Sequence, residues 1–265
     1  MTAAILVLGA TGTVGRAVVA AAVEAGRAVI AVARGCSALK TLEAAHPNAD
    51  LTLLRATVSG DRGAAKLVAQ LRKLGRPVDS VIVAIKGSLD RGRVLDVGAD
   101  ALRHRLDEDL IPQAIAARHL LPWLESNGEA TRYVVIGGPG STRPWAGYGH
   151  RSVTAAALRM LVRVLHDEAL PGGVRVQMLH VDAPACTDSN AAHACPQWPR
   201  VRAIGAQAVA LATAPRGVCI SPVVDFDHAP RPPPRLPPPR DADIADARAL
   251  LESLAVPLPP QDASS

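Results

Sequence analysis

An apolar run that ends in three evenly spaced glycines constrains the fold of this chain more than any other feature. Residues 5–8 read ILVL, Gly9, Gly12 and Gly15 follow, and an Ala- and Val-rich segment of helical periodicity comes next. The pattern predicts a strand, a tight turn and a helix. The first N–H groups of a helix lack intrahelical partners and lie at its positive end, so such a turn can hold a dinucleotide's pyrophosphate. A turn of this form that binds no ligand is the alternative.

Each glycine of the turn has its own predicted role. Gly9 permits the sharp turn, Gly12 lets the backbone approach a phosphate, and Gly15 lets the first helix pack closely. The other predicted cofactor contacts in this segment are Thr11, Thr13, Val14 and Arg16.

Apolar runs alternate with helical patterns along most of the chain. Strands are predicted near 4–9, 28–33, 51–55, 79–85, 131–137, 174–181 and 218–224, and helices near 13–26, 37–46, 62–74, 96–126, 149–170 and 203–213. Continuous apolar strands separated by helices indicate a parallel sheet that is covered on both faces. We therefore predict an α/β fold: one Rossmann-like, doubly wound sheet of about seven strands, with its ligand at the carboxyl ends of the strands.

The composition changes after Asp227, which ends the predicted nucleotide-binding domain of residues 1–227. Residues 228–240 read HAPRPPPRLPPPR, a sequence typical of an extended proline-rich linker. Residues 241–265 are expected to form a short amphipathic helix and a loose tail. This segment is either an arm that docks on a partner or a dispensable extension.

Composition excludes several classes of function. The net charge is +5, but only 2% of residues are aromatic and the arginines are scattered, so we expect no nucleic-acid partner. No apolar run reaches the roughly 18 residues of a membrane span. The four cysteines form no CxxC pair and no signal peptide is evident, which favours free thiols, a cytoplasmic location and no bound metal.

The residue at the end of the second predicted strand favours NADP over NAD. An acidic side chain there would bind the ribose 2′-hydroxyl of NAD, whereas this chain has Arg34, which suits a 2′-phosphate. Arg16 can flank the same phosphate. The alternative for Arg34 is a solvated loop arginine.

From Met1 to about Asp227 the chain resembles the short-chain dehydrogenase/reductase superfamily. The resemblance rests on residues 9–15 (GATGTVG), 79–83 (DSVIV), 156–161 (AALRML), 174–177 (VRVQ) and 223–225 (VVD). It implies a nicotinamide cofactor. The further contacts that it implies are Thr57, where the family often has an aspartate against the adenine, its neighbour Val58, and Ala84 and Lys86 in the segment that replaces Asn-Asn-Ala-Gly.

In that family a serine, a tyrosine and a lysine carry out the proton chemistry, and an asparagine supports them. Here the fifth predicted strand ends at Gly137 and Gly138, where the family has its serine, and Asp109 falls at the asparagine. Residues 151–158 fit the tyrosine-to-lysine segment without gaps, which places Arg151 at the tyrosine and Ala155 at the lysine. An alternative register keeps Tyr148 as the tyrosine, but Ser152 then stands where the lysine is required. Alanine has no proton to give and arginine stays protonated, so ordinary carbonyl reduction is not expected.

Other polar residues are expected to gather at the same cleft and replace the lost groups. Our catalytic candidates are Lys86, Asp109, Tyr148 and Arg151, with Lys86 and Asp109 expected to form an ion pair. Ser141, Thr142, Arg143 and His150 lie nearby in the predicted topology. The resemblance also suggests that Thr187, in the loop after the sixth strand, contacts the nicotinamide amide. For each side chain an ordinary surface or packing role is the alternative.

Two classes of function fit these observations. The first is an NADP-dependent enzyme of bacterial biosynthesis, which reduces an already electrophilic small molecule (a quinone, iminium or enone) or acts as a non-redox cyclase or dehydratase. The second is a non-catalytic NADP(H) sensor or scaffold. The family resemblance also implies a homodimer or homotetramer, assembled through the active-site helix and the last strand.

Overall fold

A computed structural model describes residues 3–88, 91–96, 98–127, 131–215 and 221–227 of the chain. The predicted proline-rich linker, the C-terminal helix and Cys219 lie outside the described residues.

Seven parallel strands form one sheet in the order β3-β2-β1-β4-β5-β6-β7. Their bounds are β1 (Ala4–Leu8), β2 (Val29–Ala33), β3 (Leu51–Arg55), β4 (Val78–Val83), β5 (Thr131–Gly137), β6 (Val174–His180) and β7 (Val223–Asp225). The order reverses direction between β1 and β4, and in such sheets the ligand crevice lies at that switch point. The predicted doubly wound fold is confirmed.

Helices cover both faces of the sheet. They are α1 (Thr13–Glu24), α2 (Cys36–Ala44), α3 (Asp61–Leu74), α4 (Ala99–Asp109), α5 (Ile111–Glu125), α6 (Gly149–Ala169) and α7 (Val201–Thr213). Alternate residues of β1 belong to two cores: Ile5 and Val7 pack with α1, α2 and α7, while Leu6 and Leu8 pack with α3, α5 and α6. Since both faces are buried, β1 can be apolar throughout.

The long helix predicted over 96–126 is wrong in one respect, because the structure breaks it at Leu110. α4 ends at Asp109 and α5 begins at Ile111. Pro112 is the reason. It has no N–H to donate to the carbonyl of Glu108, and its ring would collide with that carbonyl in a continuous helix. Near the start of a new helix the same proline is well accommodated.

No helix in the described part of the chain is long and apolar enough to cross a membrane.

Candidate active site

The turn after β1 requires glycine at its first position. Gly9 has a φ of +76°, a conformation that L side chains rarely adopt. A Cβ at Gly9 would also lie 2.6 Å from the carbonyl oxygen of Ala84, at the end of β4. The turn therefore sits directly against the neighbouring strand at the switch point.

The other two glycines of the turn differ in how closely an added Cβ would approach neighbouring atoms. A Cβ at Gly15 would lie 2.1 Å from the carbonyl oxygen of Gly9, so α1 can approach the turn only without a side chain there. A Cβ at Gly12 would come no closer than 3.4 Å to the Gly9 oxygen, and Gly12 has an ordinary extended conformation. Packing within the chain does not demand Gly12, which agrees with its predicted role of leaving room for a phosphate.

Backbone N–H groups that lack an acceptor within the helix lie at the start of α1, next to the space left at Gly12. Gly12 precedes α1 and provides no side-chain cap. The N–H groups of Thr13, Val14 and Gly15 have no acceptor within the helix, because they belong to its first turn. Bare amides at a positive helix end match the chemistry of a pyrophosphate, so these residues fit a dinucleotide.

A cleft, named the nucleotide cleft after its predicted ligand, extends from this turn across the ends of β2 and β3. Predicted contacts that line it are Gly9, Thr11, Gly12, Arg34, Thr57, Val58, Ala84 and Lys86. Thr57 Oγ1 accepts a hydrogen bond from the Ser59 N–H (3.2 Å) and lies 2.9 Å from Ser59 Oγ. Thr57 thus stabilises the local turn, and Ser59, which sequence reasoning missed, contributes a second hydroxyl to the cleft wall.

One arginine lines this cleft, and two more bond to the backbone of residues in its wall. Arg34 is exposed and lines the cleft. Arg16 Nε donates to the Thr11 carbonyl (2.9 Å), and Arg55 Nε donates to the Arg34 carbonyl (3.2 Å). In the described part of the chain none of the three forms an ion pair with a carboxylate. Their charge is therefore available to an anion, and Arg55 is an addition to the predicted set.

An inner pocket adjoins the nucleotide cleft at the ends of β4, β5 and β6. All four positions that the family resemblance assigns to the catalytic groups line it, namely Asp109, Gly138, Arg151 and Ala155. Val14 also lines this pocket, and Ala84 and Lys86 belong to both cavities. The remaining walls are mostly apolar.

Lys86 stands where the two cavities meet. Its side chain is exposed to water in the cleft, yet the cleft walls enclose the ammonium enough to lower its pKa from 10.5 to about 8. Burial is the main cause, the positive charge of Arg151 adds to the shift, and the negative charge of Asp109 opposes it. A Cβ at Gly138 would lie 3.2 Å from Lys86 Nζ, so the ammonium occupies the space beside the glycine.

The expected ion pair between Lys86 and Asp109 is wrong. Asp109 Oδ1 instead accepts a hydrogen bond from the Gly87 N–H at 2.7 Å. Backbone N–H groups at a strand end need an acceptor, and the carboxylate supplies it. Asp109 acts on Lys86 through its charge rather than by direct contact.

Arg151 is buried and holds the same segment of chain. Its Nη1 donates to the Ser88 carbonyl at 2.8 Å, and Arg105 Nη1 donates to the same oxygen at 2.5 Å. Glu108 Oε2 accepts from the Ser88 N–H and from Ser88 Oγ. These bonds fix the backbone that carries Lys86.

Five predicted site residues line neither cavity, namely Thr13, Gly15, Arg16, Tyr148 and Thr187. Tyr148 stacks on Trp145, with ring centroids 4.2 Å apart, and it is Trp145 that lines the inner pocket. Thr187 Oγ1 lies 2.9 Å from Ser189 Oγ, and the Thr187 N–H donates to Asn190 Oδ1. Asn190 lines the pocket instead. Neither Trp145 nor Asn190 carried a sequence signal that marked it for this site.

No group of three or more His, Cys, Asp or Glu side chains in the described ranges could hold a metal ion. Cys36, Cys186 and Cys195 are free thiols.

Comparisons with known proteins give likenesses in both sequence and fold. Residues 3–199 match the family model for short chain dehydrogenases. Over 194 residues the chain is 26% identical to the short-chain dehydrogenase/reductase iacG of Pestalotiopsis fici, a match covering 72% of this chain and 77% of that protein.

Two solved structures share the fold. A short-chain dehydrogenase from Streptomyces avermitilis superposes with a TM-score of 0.71 at 23% identity, covering 95% of this chain and 94% of the other. ElxO, solved with NADP bound, superposes with a TM-score of 0.76 at 11% identity, covering 86% and 98%. Because the family model spans most of the chain, this protein belongs to the short-chain dehydrogenase family.

Proposed function

We propose that this protein is an NADP(H)-dependent reductase that acts on an already electrophilic small molecule, such as a quinone, an iminium or an enone. The observation that carries the proposal is the position of Lys86, whose ammonium lies beside Gly138 in a pocket that no serine or tyrosine of the described residues lines. Family membership supports oxidoreductase chemistry, and the likeness to NADP-bound ElxO supports the choice of cofactor.

The chain's own residues would hold the cofactor at both ends. The amides of residues 13–15 would bind the pyrophosphate, with Gly12 leaving room for it. Arg34, flanked by Arg16 and Arg55, would bind the 2′-phosphate. When bound, NADPH supplies a hydride at the nicotinamide ring.

Lys86 would then stabilise the negative charge that develops on the substrate. At neutral pH a lysine with a pKa near 8 is mostly protonated, so it offers a cation, and it can release a proton with little cost. Arg151 keeps its charge and holds the backbone of Ser88. A substrate that accepts hydride readily needs less proton assistance than a ketone, which suits a site without the tyrosine.

Turnover is tested by incubating the protein with NADPH and a panel of quinones, enones and cyclic iminium ions while the absorbance of the reduced cofactor is followed. We expect consumption with at least one acceptor, and a loss of about 100-fold in Lys86→Met. Lys66→Met is the matched control, because Lys66 is an exposed lysine on α3 outside both cavities. NADPH binding without consumption by any acceptor would instead support the sensor or the non-redox enzyme.

A further inference from the structure

Beside the inner pocket, three side chains from different parts of the sequence form one hydrogen-bonded chain. Ser141 Oγ lies 2.8 Å from His180 Nε2, and His180 Nδ1 lies 2.8 Å from Asp225 Oδ1. None of the three lines the nucleotide cleft or the inner pocket. The reductase chemistry proposed above makes no use of them.

Donor and acceptor roles follow from the aspartate. An ionised carboxylate only accepts, so His180 Nδ1 must carry the proton that it shares with Asp225. In the neutral imidazole Nε2 is then left with a lone pair, and the Ser141 hydroxyl donates to it. This is the order of contacts in which a histidine acts as general base toward a serine nucleophile.

The sheet holds the histidine in place. His180 ends β6, Asp225 ends β7, and the two are register partners in the parallel pair. The Phe226 N–H donates to the His180 carbonyl at 2.8 Å, and the imidazole is almost fully buried. A second carboxylate, Asp182, has its Oδ1 3.8 Å from Nε2, which is beyond hydrogen-bonding distance. Ser141 is therefore the direct partner of Nε2.

The serine is accessible and lies in a suitable loop. Ser141 follows Gly140, whose φ is +96°, and is partly exposed to solvent. Within the part of the chain that the structure describes, the N–H groups of Ser141 and Thr142 donate no hydrogen bond. Such amides can bind the oxyanion of a tetrahedral intermediate.

We propose that Ser141, His180 and Asp225 form a second reactive centre, which hydrolyses activated carboxylic esters. Ser141 Oγ attacks the ester carbonyl while His180 Nε2 takes the hydroxyl proton. The C–O bond to the alcohol then breaks, His180 returns the proton to the departing alcohol, and an acyl ester remains on Ser141. Water, deprotonated by His180, then attacks the acyl carbon, the bond from that carbon to Ser141 Oγ breaks, His180 returns the proton to Ser141 Oγ, and the carboxylic acid is released. No oxidant or reductant is involved.

Labelling tests the centre directly. The full chain is treated with a fluorophosphonate, or with p-nitrophenyl acetate, and the modified residue is located by mass spectrometry. We expect the label on Ser141, and its loss in Ser141→Ala. Thr142→Ala, a change at the next hydroxyl of the same loop, is expected to keep it. Label on another residue, or equal label in Ser141→Ala, would overturn the proposal.

Two further variants separate chemistry from folding. His180→Gln should slow acylation by about 100-fold. Asp225→Asn, at a positioning residue whose side chain is 80% exposed, should lower kcat for p-nitrophenyl acetate without raising KM or lowering the melting temperature. If hydrolysis of the ester is unchanged in both variants, the three residues are a structural network and the proposal is wrong.

Discussion

Lys86 and Gly138 lie so close that a methyl group added to the glycine would come within 3.2 Å of Lys86 Nζ. The lysine tip is flexible, so Gly138→Ala should displace the ammonium rather than unfold the chain. We expect turnover with the best acceptor to fall about tenfold and NADPH affinity to fall less, because Gly138 is outside the nucleotide cleft and Lys86 is only one of the residues that line it. Gly98→Ala is the control, since nothing lies within 4 Å of a Cβ there. Equal turnover in the two variants would disprove the role given to Lys86.

The pH dependence of turnover should report the protonation of Lys86. Its pKa in the folded chain is lowered to about 8, so the ammonium is present below that pH and is lost as the pH rises through it. We expect kcat/KM to fall above about pH 8. In Lys86→Arg any residual activity should stay flat across this range, because arginine remains protonated. A wild-type profile that is flat from pH 7 to pH 9 would contradict the assignment.

The free energy of unfolding should also depend on pH through Lys86, and the lowered pKa determines the direction of that dependence. Because folding lowers the lysine pKa from 10.5 to about 8, the unfolded chain binds more protons between these values, and stability rises with pH across that window. Exposure to cleft water reduces the size of the effect. Lys86→Met should remove this contribution and raise the melting temperature at pH 7 by about 2 °C. The comparison is made by calorimetry at pH 7 and pH 10, and a lower melting temperature in Lys86→Met at pH 7 would contradict the lowered pKa.

Gly12 and Gly15 should respond differently to alanine. Gly15→Ala places a Cβ 2.1 Å from a backbone oxygen and should cost about 2 kcal/mol of stability. Gly12→Ala fits the chain and should leave the melting temperature unchanged, but it should weaken NADPH binding by about tenfold because its methyl group fills the phosphate's place. Denaturant melts and fluorescence titration measure the two effects. Unchanged NADPH affinity in Gly12→Ala would place the pyrophosphate elsewhere.

Arg34 should determine the choice between the two coenzymes. Arg34→Asp removes a cation and adds an anion beside the proposed 2′-phosphate, so NADPH affinity should fall by about 100-fold while NADH affinity changes little. Arg163→Asp, at an exposed arginine of α6 outside both cavities, is the control for the change in net charge. An equal loss of affinity for both coenzymes in Arg34→Asp would show that Arg34 does not bind the 2′-phosphate.

Much of the fold could be predicted because the strands are buried on both faces and are therefore apolar throughout. The glycine turn could be predicted because its spacing is readable in the sequence, and in the structure close backbone contacts demand Gly9 and Gly15. The break at Leu110 was also visible in principle, as Pro112 marks it. The prediction of one continuous helix over residues 96–126 relied on the helical periodicity around Pro112 and neglected the fact that proline has no N–H to donate.

Side-chain partners were harder to predict. The sequence placed Lys86, Asp109 and Arg151 at one cleft, but which atoms they contact depends on distances of a few ångströms. The Gly87 amide competes successfully for Asp109, so the expected ion pair does not form. Trp145 rather than Tyr148 lines the pocket, and the two rings stack on each other. The contact of His180 with Ser141 depends on a loop conformation that no periodicity encodes.

Binding of the coenzyme tests the central claim most directly. Isothermal titration calorimetry of the full chain with NADP⁺, and separately with NAD⁺, measures both affinities under the same conditions. The account predicts one site per chain, micromolar affinity for NADP⁺, and affinity for NAD⁺ weaker by about tenfold or more. Absence of binding heat with both coenzymes, confirmed by an unchanged melting temperature at millimolar concentration, would contradict it.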